Sequence, residues 1–286
     1  MSFYAWSEDM LLNIYITVSI LADAGITILG NTINSISDIW KPIVLFAALF
    51  LTCIIFHVIL LIASSFLSRE EGKIVKPTRW MVIQTINLLR RVMRLKIHTT
   101  GMELLPEGQS FLLVCNHKSI FEPIASIELF RDYRLGFISK KENSKIPIGG
   151  WLINSTATLA LDREDDRAAV RTVIKAANII KKGEASFGIY PEGTRNKTSE
   201  PLLPFRNGSF KIAQRAGAPI VVMTACGAER LTKRMFFRKT DAYFDILKVI
   251  PHEDIASLST NEIGDMISGM MKENIIKRNS EVYGRK

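Results

Sequence analysis

An uncharged apolar stretch from residue 42 to residue 67 limits how this chain can fold. Its polar side chains are Thr52, His57 and two serines. As an α-helix at about 1.5 Å per residue it would reach roughly 39 Å, which exceeds a hydrocarbon core of about 30 Å. A signal peptide is shorter and follows basic residues at the start of a chain, which this sequence lacks. The stretch therefore predicts a membrane helix that either spans the bilayer or lies obliquely in it.

A second apolar segment runs from Met10 to Leu29 and is a weaker case. It is rich in leucine and isoleucine, but Asn13, Asp23 and Gly25 interrupt it. A second membrane helix and an interfacial helix are equally compatible with this composition, and both interpretations remain open.

Formal charge is distributed unevenly along the 286 residues, which carry +9 in total. Residues 1–68 contain one base and four acids, whereas the remaining residues contain 36 bases and 24 acids. Bases begin at Arg69, directly after the apolar stretch, so we expect the carboxyl side of the membrane helix to lie in the cytoplasm. The basic body is compatible with anionic lipid, phosphorylated substrates or nucleic acid. Because the sequence has no zinc knuckle, helix-turn-helix or aromatic RNA-binding signature, membrane lipids and phosphate are the predicted partners, and nucleic acid is not.

The three cysteines, Cys53, Cys115 and Cys226, all lie in apolar runs and share no metal-ligand spacing. An odd number of cysteines in hydrophobic segments favours buried thiols over a disulfide framework. The sequence therefore predicts no metal site and is consistent with a cytoplasmic body.

A helix is predicted from Thr78 to Leu95, with apolar residues at helical spacing and arginines on the margins, including Arg79. This pattern fits a helix on an anionic membrane surface and a core helix with a solvated basic face equally well. The sequence pattern therefore does not decide between a membrane-surface helix and a core helix.

After Leu95 the hydrophobic pattern alternates between short strands and amphipathic helices, which is typical of an α/β sheet with flanking helices. The clearest helices are Asp165–Lys182, with Gly183 just past its end, and Asn261–Ile276. The predicted strands are Leu95–His98, Phe111–Cys115, Arg134–Ser139, Thr156–Leu161, Ser186–Tyr190, Ile220–Ala225 and Ala242–Val249.

Polar residues follow the predicted strand Phe111–Cys115 abruptly, and His117 lies among them. Open α/β sheets place their ligands at the carboxyl ends of strands. An imidazole with Glu122 to orient it could remove a proton from an alcohol. Ser119 and Glu122 also form a capping-box pattern, in which Glu122 would only bond the backbone. A covalent role for Cys115 is disfavoured because, two residues from His117 in a strand, it would lie about 6.6 Å away.

Three further motifs end predicted strands. Pro191-Glu192-Gly193-Thr194-Arg195 follows one strand, and Lys140 and Arg163 follow two others. A glycine in such a turn lets the backbone approach a ligand, and a guanidinium suits phosphate. Because parallel strands end at one edge of a sheet, all four motifs should converge on one pocket.

Taken together, the ordered blocks resemble the lysophosphatidic acid acyltransferase (1-acyl-sn-glycerol-3-phosphate acyltransferase) family of glycerolipid acyltransferases. The resemblance covers roughly residues 78–250 and rests on NHKSIFE, SKKENSKIPIGGW with LDR, YPEGTR and the later APIVV. It implies a glycerolipid-acyltransferase-like α/β sheet preceded by N-terminal membrane helices. We accordingly expect a membrane anchor with interfacial helices at 1–95, and an acyltransferase domain at 96–286.

The resemblance also implies a function: transfer of a fatty acyl group from an acyl thioester to 1-acyl-sn-glycerol 3-phosphate, which gives phosphatidic acid. The donor would be acyl-CoA or acyl-carrier protein, without a cofactor. The alternatives are another lysophospholipid or glycolipid acceptor, or a catalytically decayed lipid-binding protein at the cell membrane.

Individual residue roles follow from the same resemblance. His117 would be the general base, and Glu122 would stand where the family usually has aspartate, one methylene shorter. The implied substrate-binding residues are Lys140 and Arg195 for the glycerol phosphate, Arg163 as a further contributor, Glu192 for the glycerol, and Gly193 and Thr194 in the same turn.

Overall fold

The computed structural model describes residues 10–65, 72, 74–145, 156–162, 164–234 and 237–284. Within these ranges the strands form one seven-stranded sheet in the order β1-β7-β6-β2-β5-β3-β4. The strands are β1 Leu95–Thr100, β2 Leu112–Cys115, β3 Gly136–Lys140, β4 Leu159–Leu161, β5 Phe187–Ile189, β6 Ile220–Cys226 and β7 Thr240–Ile250.

The pairing direction of the strands positions the functional residues. β2, β5, β3 and β4 are consecutive neighbours and pair in parallel, so their carboxyl ends share one edge of the sheet. β6 is also parallel to β2, whereas β7 runs antiparallel to β6 and parallel to β1. The predicted convergence of strand ends is therefore present in the topology.

Helices cover both faces of the sheet, as predicted for the α/β class. The described helices are α1 Met10–Leu29, α2 Trp40–Ser65, α3 Lys76–Val92, α4 Phe121–Leu129, α5 Asp166–Lys181, α6 Lys211–Ala216, α7 Leu231–Arg234, α8 His252–Ile255 and α9 Thr260–Tyr283.

Alternate residues of β2 divide the apolar interior into two cores. Leu112 and Val114 pack with residues of α5, α6 and α9 on one face of the sheet. Leu113 and Cys115 pack with residues of α3 and α4 on the other face. Because successive side chains of a strand point to opposite faces, one short strand supplies both cores.

Several predicted boundaries shift because of local backbone geometry. Arg134 has a φ of 51° and Ala157 a φ of 63°, so the chain is still turning there, and β3 and β4 begin later than predicted. The Asp165 side chain caps α5 by accepting the Ala168 N–H at 3.0 Å. Gly183 follows that helix with a φ of 68°, as its position in the sequence predicted.

The two amino-terminal helices, α1 and α2, are long and apolar enough to cross a membrane by length and composition. Only 11% of the apolar window of α1 and 6% of that of α2 is buried inside the protein. A core helix would be covered by its neighbours, so this exposure favours contact with lipid. The chain is membrane-associated, and α1 now joins α2 as a candidate membrane span.

The α3 helix packs on the sheet: Val82, Ile83 and Ile86 are buried in the same core as Leu113 and Cys115 of β2. Arg79 is also fully buried, and its Nη1 donates to the backbone carbonyl of Leu135 at 3.0 Å. The expectation that Arg79 lies on a basic surface margin was therefore wrong. The spacing of apolar residues in a helix does not show that an arginine side chain turns inward and donates a hydrogen bond to the carbonyl of Leu135, just before β3.

Candidate active site

The carboxyl end of β2 is held rigidly before the chain reaches His117. All four residues of β2 are buried, and Asn116 follows them with no exposed surface. The Asn116 side chain accepts the N–H of Ala225 and donates to the carbonyl of Ala225, both at 2.8 Å. Because both of its polar ends bond β6, the next residue, His117, leaves the sheet at a defined position.

His117 and Glu122 are in direct contact. The Nδ1 atom of His117 lies 2.9 Å from Oε2 of Glu122, a fully buried carboxylate in the first turn of α4. A carboxylate accepts hydrogen bonds, so Nδ1 carries the proton and the lone pair of the ring lies on Nε2. This tautomer is the one that a general base requires.

The Glu122 carboxylate also accepts the backbone N–H of Lys118, at 2.9 Å to Oε2 and 3.1 Å to Oε1. The Ser119 hydroxyl instead accepts the N–H of Phe121 at 3.2 Å and donates to the carbonyl of Ala228. The capping box that the sequence allowed is therefore absent, because α4 begins at Phe121 and Glu122 bonds the Lys118 backbone together with the imidazole. The longer glutamate reaches both partners from the start of α4.

Burial and nearby charges set the protonation of this pair. Burial raises the pKa of the Glu122 carboxyl well above its ordinary value, while hydrogen bonds from the backbone of Ser119 and Lys118 act in the opposite direction. Burial lowers the pKa of His117 to about 4; Glu192 opposes this shift and the positive charge of Arg195 adds to it. The imidazole is therefore neutral at neutral pH.

Tyr190 fixes the plane of the imidazole. Its ring stacks on His117 with centroids 4.2 Å apart and an interplanar angle of 24°. The opposite neighbour is Phe137, whose ring is 5.4 Å from that of Tyr190 and nearly parallel to it. Burial raises the pKa of the Tyr190 hydroxyl well above 10, so it stays protonated. Side chains from β3 and from the end of β5 thus hold the imidazole of His117 in place.

The turn after β5 holds the backbone of His117. Glu192 Oε1 accepts the His117 N–H at 2.7 Å, and the Asn196 N–H donates to the His117 carbonyl at 2.6 Å. Glu192 Oε2 accepts the N–H of Leu203 at 2.9 Å. Each oxygen keeps a further lone pair, so the predicted contact between Glu192 and glycerol stays a prediction. The observed role of this carboxylate is to join two loops at the site.

The remaining sequence-predicted residues lie along the same edge. Gly193 turns the chain with a φ of 72°, and Thr194 and Arg195 follow it with exposed side chains. Lys140 ends β3, two strands from β2, which corresponds to a separation of about 10 Å. Lys140 lies 3.5 Å from Glu142. The predicted site residue Arg163 lies outside the described residues.

A family model with the description Acyltransferase matches residues 96–225, from β1 to the end of β6. The match includes His117, Glu122, Lys140, Glu192 and Arg195. Residues 96–225, a little under half of the chain, are therefore similar to the acyltransferase family.

Several proteins with known names are similar to this chain. A chloroplastic 1-acyl-sn-glycerol-3-phosphate acyltransferase of Brassica napus is 34% identical over 137 residues, which are 48% of this chain and 39% of that protein. The 1-acyl-sn-glycerol-3-phosphate acyltransferase of Saccharomyces cerevisiae is 26% identical over 192 residues, 66% of this chain and 63% of that protein. The chain thus spans between two fifths and two thirds of the length of these relatives.

The fold is also similar to a solved structure of an acyltransferase. The crystal structure of the 1-acyl-sn-glycerophosphate acyltransferase PlsC from Thermotoga maritima matches with a TM-score of 0.58 and 24% identity. The match covers 79% of this chain and 89% of the PlsC chain. It confirms the predicted acyltransferase-like sheet with flanking helices.

Three residues of this candidate site were missed by the sequence reasoning: Asn116, Tyr190 and Asn196. Each lies within or next to a motif that was recognised, but its contact is made with a distant part of the chain. The available signals were an asparagine at the end of an apolar strand, Asn116, and an aromatic residue directly before the predicted substrate-binding turn, Tyr190.

The sequence disfavoured a covalent role for Cys115 and predicted no metal site, and the structure provides an observation on each. Cys115 is buried, and burial raises the pKa of its thiol well above the usual range, so it is not a thiolate nucleophile. Among the described residues, no group of three or more histidine, cysteine, aspartate or glutamate side chains could hold a metal ion.

Proposed function

We propose that this protein transfers a fatty acyl group from an acyl thioester to the free hydroxyl of 1-acyl-sn-glycerol 3-phosphate, which gives phosphatidic acid. The observation that carries the proposal is the 2.9 Å contact between His117 Nδ1 and Glu122, which leaves Nε2 as a base at the common edge of the parallel strands. The names of the similar acyltransferases supply the substrate class.

The proposed reaction needs only these side chains and the two substrates. His117 Nε2 takes the proton of the acceptor hydroxyl while the hydroxyl oxygen attacks the carbonyl carbon of the thioester. The tetrahedral intermediate then expels the thiolate, which receives that proton from the imidazolium. Glu122 stabilises the imidazolium while it carries the proton. The thioester supplies its own leaving group, so the proposed chemistry uses no cofactor.

A small apolar groove of about 40 Å³ lies beside α4, where it could hold only a short part of a fatty acyl chain. It lies between α3 and α4, and its lining includes Ile86, Leu89, Phe121 and Ile124. Phe121 is the residue before Glu122, so the groove begins next to the proposed base. It lies on the sheet face that carries α3, the helix that α1 and α2 contact. An acyl chain could therefore enter from the membrane side.

The exposed bases near His117 suit the phosphate of the acceptor. Arg195 is close enough to lower the pKa of His117, and Lys140 ends a strand at the same edge. We propose that both bind the glycerol phosphate, with Arg163, Gly193 and Thr194 as further substrate contacts. The polar end of a lysophospholipid would then lie beside the base.

The acceptor assignment is tested by substrate preference. We expect the full chain, purified in detergent, to transfer labelled acyl groups to lysophosphatidic acid and poorly to monoacylglycerol, which has no phosphate. Lysophosphatidylcholine and a glycolipid acceptor test the alternative substrates, and acyl-CoA and acyl-carrier protein are compared as donors. If no acceptor is used with either donor, the proposed function is wrong and a decayed lipid-binding protein is the better description.

Arg195→Lys should weaken acceptor binding, because lysine keeps the charge but loses the planar bidentate fork. We expect the KM for lysophosphatidic acid to rise about tenfold with little change in kcat. Arg171→Lys, on the outer face of α5, is the matched control. Monoacylglycerol should show no further loss in the Arg195 variant. If both acceptors weaken equally, Arg195 supports the loop and does not bind the phosphate.

We also propose that the catalytic edge faces the cytoplasm. The support is the excess of bases after α2 together with the exposed apolar surface of α1 and α2. In sealed inside-out vesicles, protease should cleave the acyltransferase domain. If the domain is protected there and cut in right-side-out vesicles, the orientation is reversed.

A further inference from the structure

A second groove opens at the carboxyl ends of β3, β4 and β5, on the sheet face opposite to α3 and α4. It has a volume of about 500 Å³, and its floor includes Ile138, Leu161 and Ile189. Val170 of α5 also lines it and is 53% exposed. Solvent-exposed apolar surface in a concave site is typical of a place where a ligand binds.

Basic side chains surround this apolar floor. Arg206, Lys211 and Arg215 line the groove, all three are exposed, and Asp166 is the one acid in the described lining. No ion pair joins any of the three bases to an acid in the part of the chain that the structure describes. Lys211 and Arg215 are four residues apart on α6, so they project from the same side of the helix. The rim is therefore suited to an anionic group.

One end of the groove reaches the proposed active site. Tyr190, Pro191 and Gly193 belong to its lining, and Tyr190 is the residue that stacks on His117. The backbone N–H of Arg206 donates to the carbonyl of Pro191 at 2.8 Å, which joins the basic rim to this turn. A ligand with an anionic group on the rim could thus extend along the apolar floor to the sheet edge, where Tyr190 lies between the groove and His117.

The position of the groove distinguishes between possible anionic ligands. The membrane helices pack on the other side of the protein, where Leu61 of α2 joins the core formed by α3 and α4. A lipid would have to cross the sheet edge to occupy the groove, whereas a water-soluble ligand enters it directly. We propose that this groove binds the phosphopantetheine arm of the thioester donor, an assignment that rests on the proposed function. The arm carries a phosphate at one end and the thioester at the other, and both CoA and acyl-carrier protein present it.

Calorimetric titration of the full-length protein in detergent tests this assignment without an acyl acceptor. The double variant Lys211→Gln with Arg215→Gln should bind CoA and 4′-phosphopantetheine about five- to tenfold more weakly than the wild type, because two charge contacts with phosphate are removed. Pantetheine, which has no phosphate, should bind the wild type and the variant equally. Lys272→Gln with Lys277→Gln on α9 removes the same charge elsewhere and should leave all affinities within twofold.

Steady-state kinetics give the second measurement. We expect the double variant to raise the KM for the acyl donor, while kcat and the KM for lysophosphatidic acid stay unchanged. Tighter binding of CoA than of 4′-phosphopantetheine supports CoA as the source of the arm, and equal binding supports acyl-carrier protein. Unchanged affinity of the double variant for both phosphate-bearing probes would overturn the proposal, as would a higher KM for lysophosphatidic acid alone. Absence of acyl transfer by the wild type would count against the proposed function and would not alter the calorimetric result.

Discussion

His117→Ala is expected to lower acyl transfer by about 10²–10⁴-fold, because the variant has no group that can take the acceptor proton. Labelled acyl transfer by the purified full chain in detergent is the measurement. The melting temperature is measured beside it and should fall, because the variant leaves the buried Glu122 carboxylate without its Nδ1 partner, so activity is compared at a temperature where both proteins are folded. Loss of kcat without loss of donor binding would place the defect in the chemical step.

A second histidine in the chain provides the matched control. His98 in β1 also contacts a carboxylate, with its Nε2 2.8 Å from Asp241, but it is separated from β2 by two other strands. His98→Ala should therefore keep near-normal activity. If His117→Ala turned over at the same rate as His98→Ala, the general-base mechanism would be wrong.

The pH profile of the wild type gives a further check on the same base. Protonation inactivates a general base, and burial lowers the pKa of His117 to about 4. Protonation of the imidazole alone should therefore leave kcat/KM constant from pH 7 to about 5. A decrease that begins at higher pH would report protonation of Glu122, whose pKa burial raises. Since Arg195 contributes to lowering this pKa, Arg195→Gln should raise the pKa and move the acidic limb to higher pH.

Glu122→Gln is expected to reduce kcat strongly, by up to about 10⁴-fold, as found when a neutral amide replaces the carboxylate that orients a catalytic histidine. A carboxylate accepts the Nδ1 proton of His117, whereas the amide can donate to Nδ1 and thereby favour the tautomer with the proton on Nε2. That tautomer has no lone pair at the position facing the substrate. The uncharged amide also fails to stabilise the imidazolium.

Glu122→Asp is the companion variant, since aspartate keeps the charge and is the residue usual in the resembled family. We expect it to retain activity. Both variants are compared by kcat and by melting temperature, because the carboxylate also bonds the Lys118 backbone. Glutamine can accept those backbone bonds. Equal activity of Glu122→Gln and the wild type would show that the backbone contact is the whole role of this residue.

The elements of the fold could be predicted because their signals are local. A continuous uncharged run defines α2, helical spacing with an aspartate before it and a glycine after it defines α5, and short apolar runs define the strands of the sheet. The ends of β3 and β4 were less predictable, because Arg134 and Ala157 adopt positive φ values that neither residue type indicates.

The sequence by itself determined the class of fold, the apolar amino-terminal helices and the positions of His117, Glu122, Lys140 and the turn at 191–195, because each depends on residues close in the chain. The tertiary structure decided which groups touch. The pairing of β2 with β5 brings Tyr190 and Glu192 to His117, and the packing of α3 buries Arg79. It also placed an apolar groove on one sheet face and a basic-rimmed groove on the other. Such contacts join residues far apart in sequence, so they depend on strand order and helix packing, which local patterns do not specify.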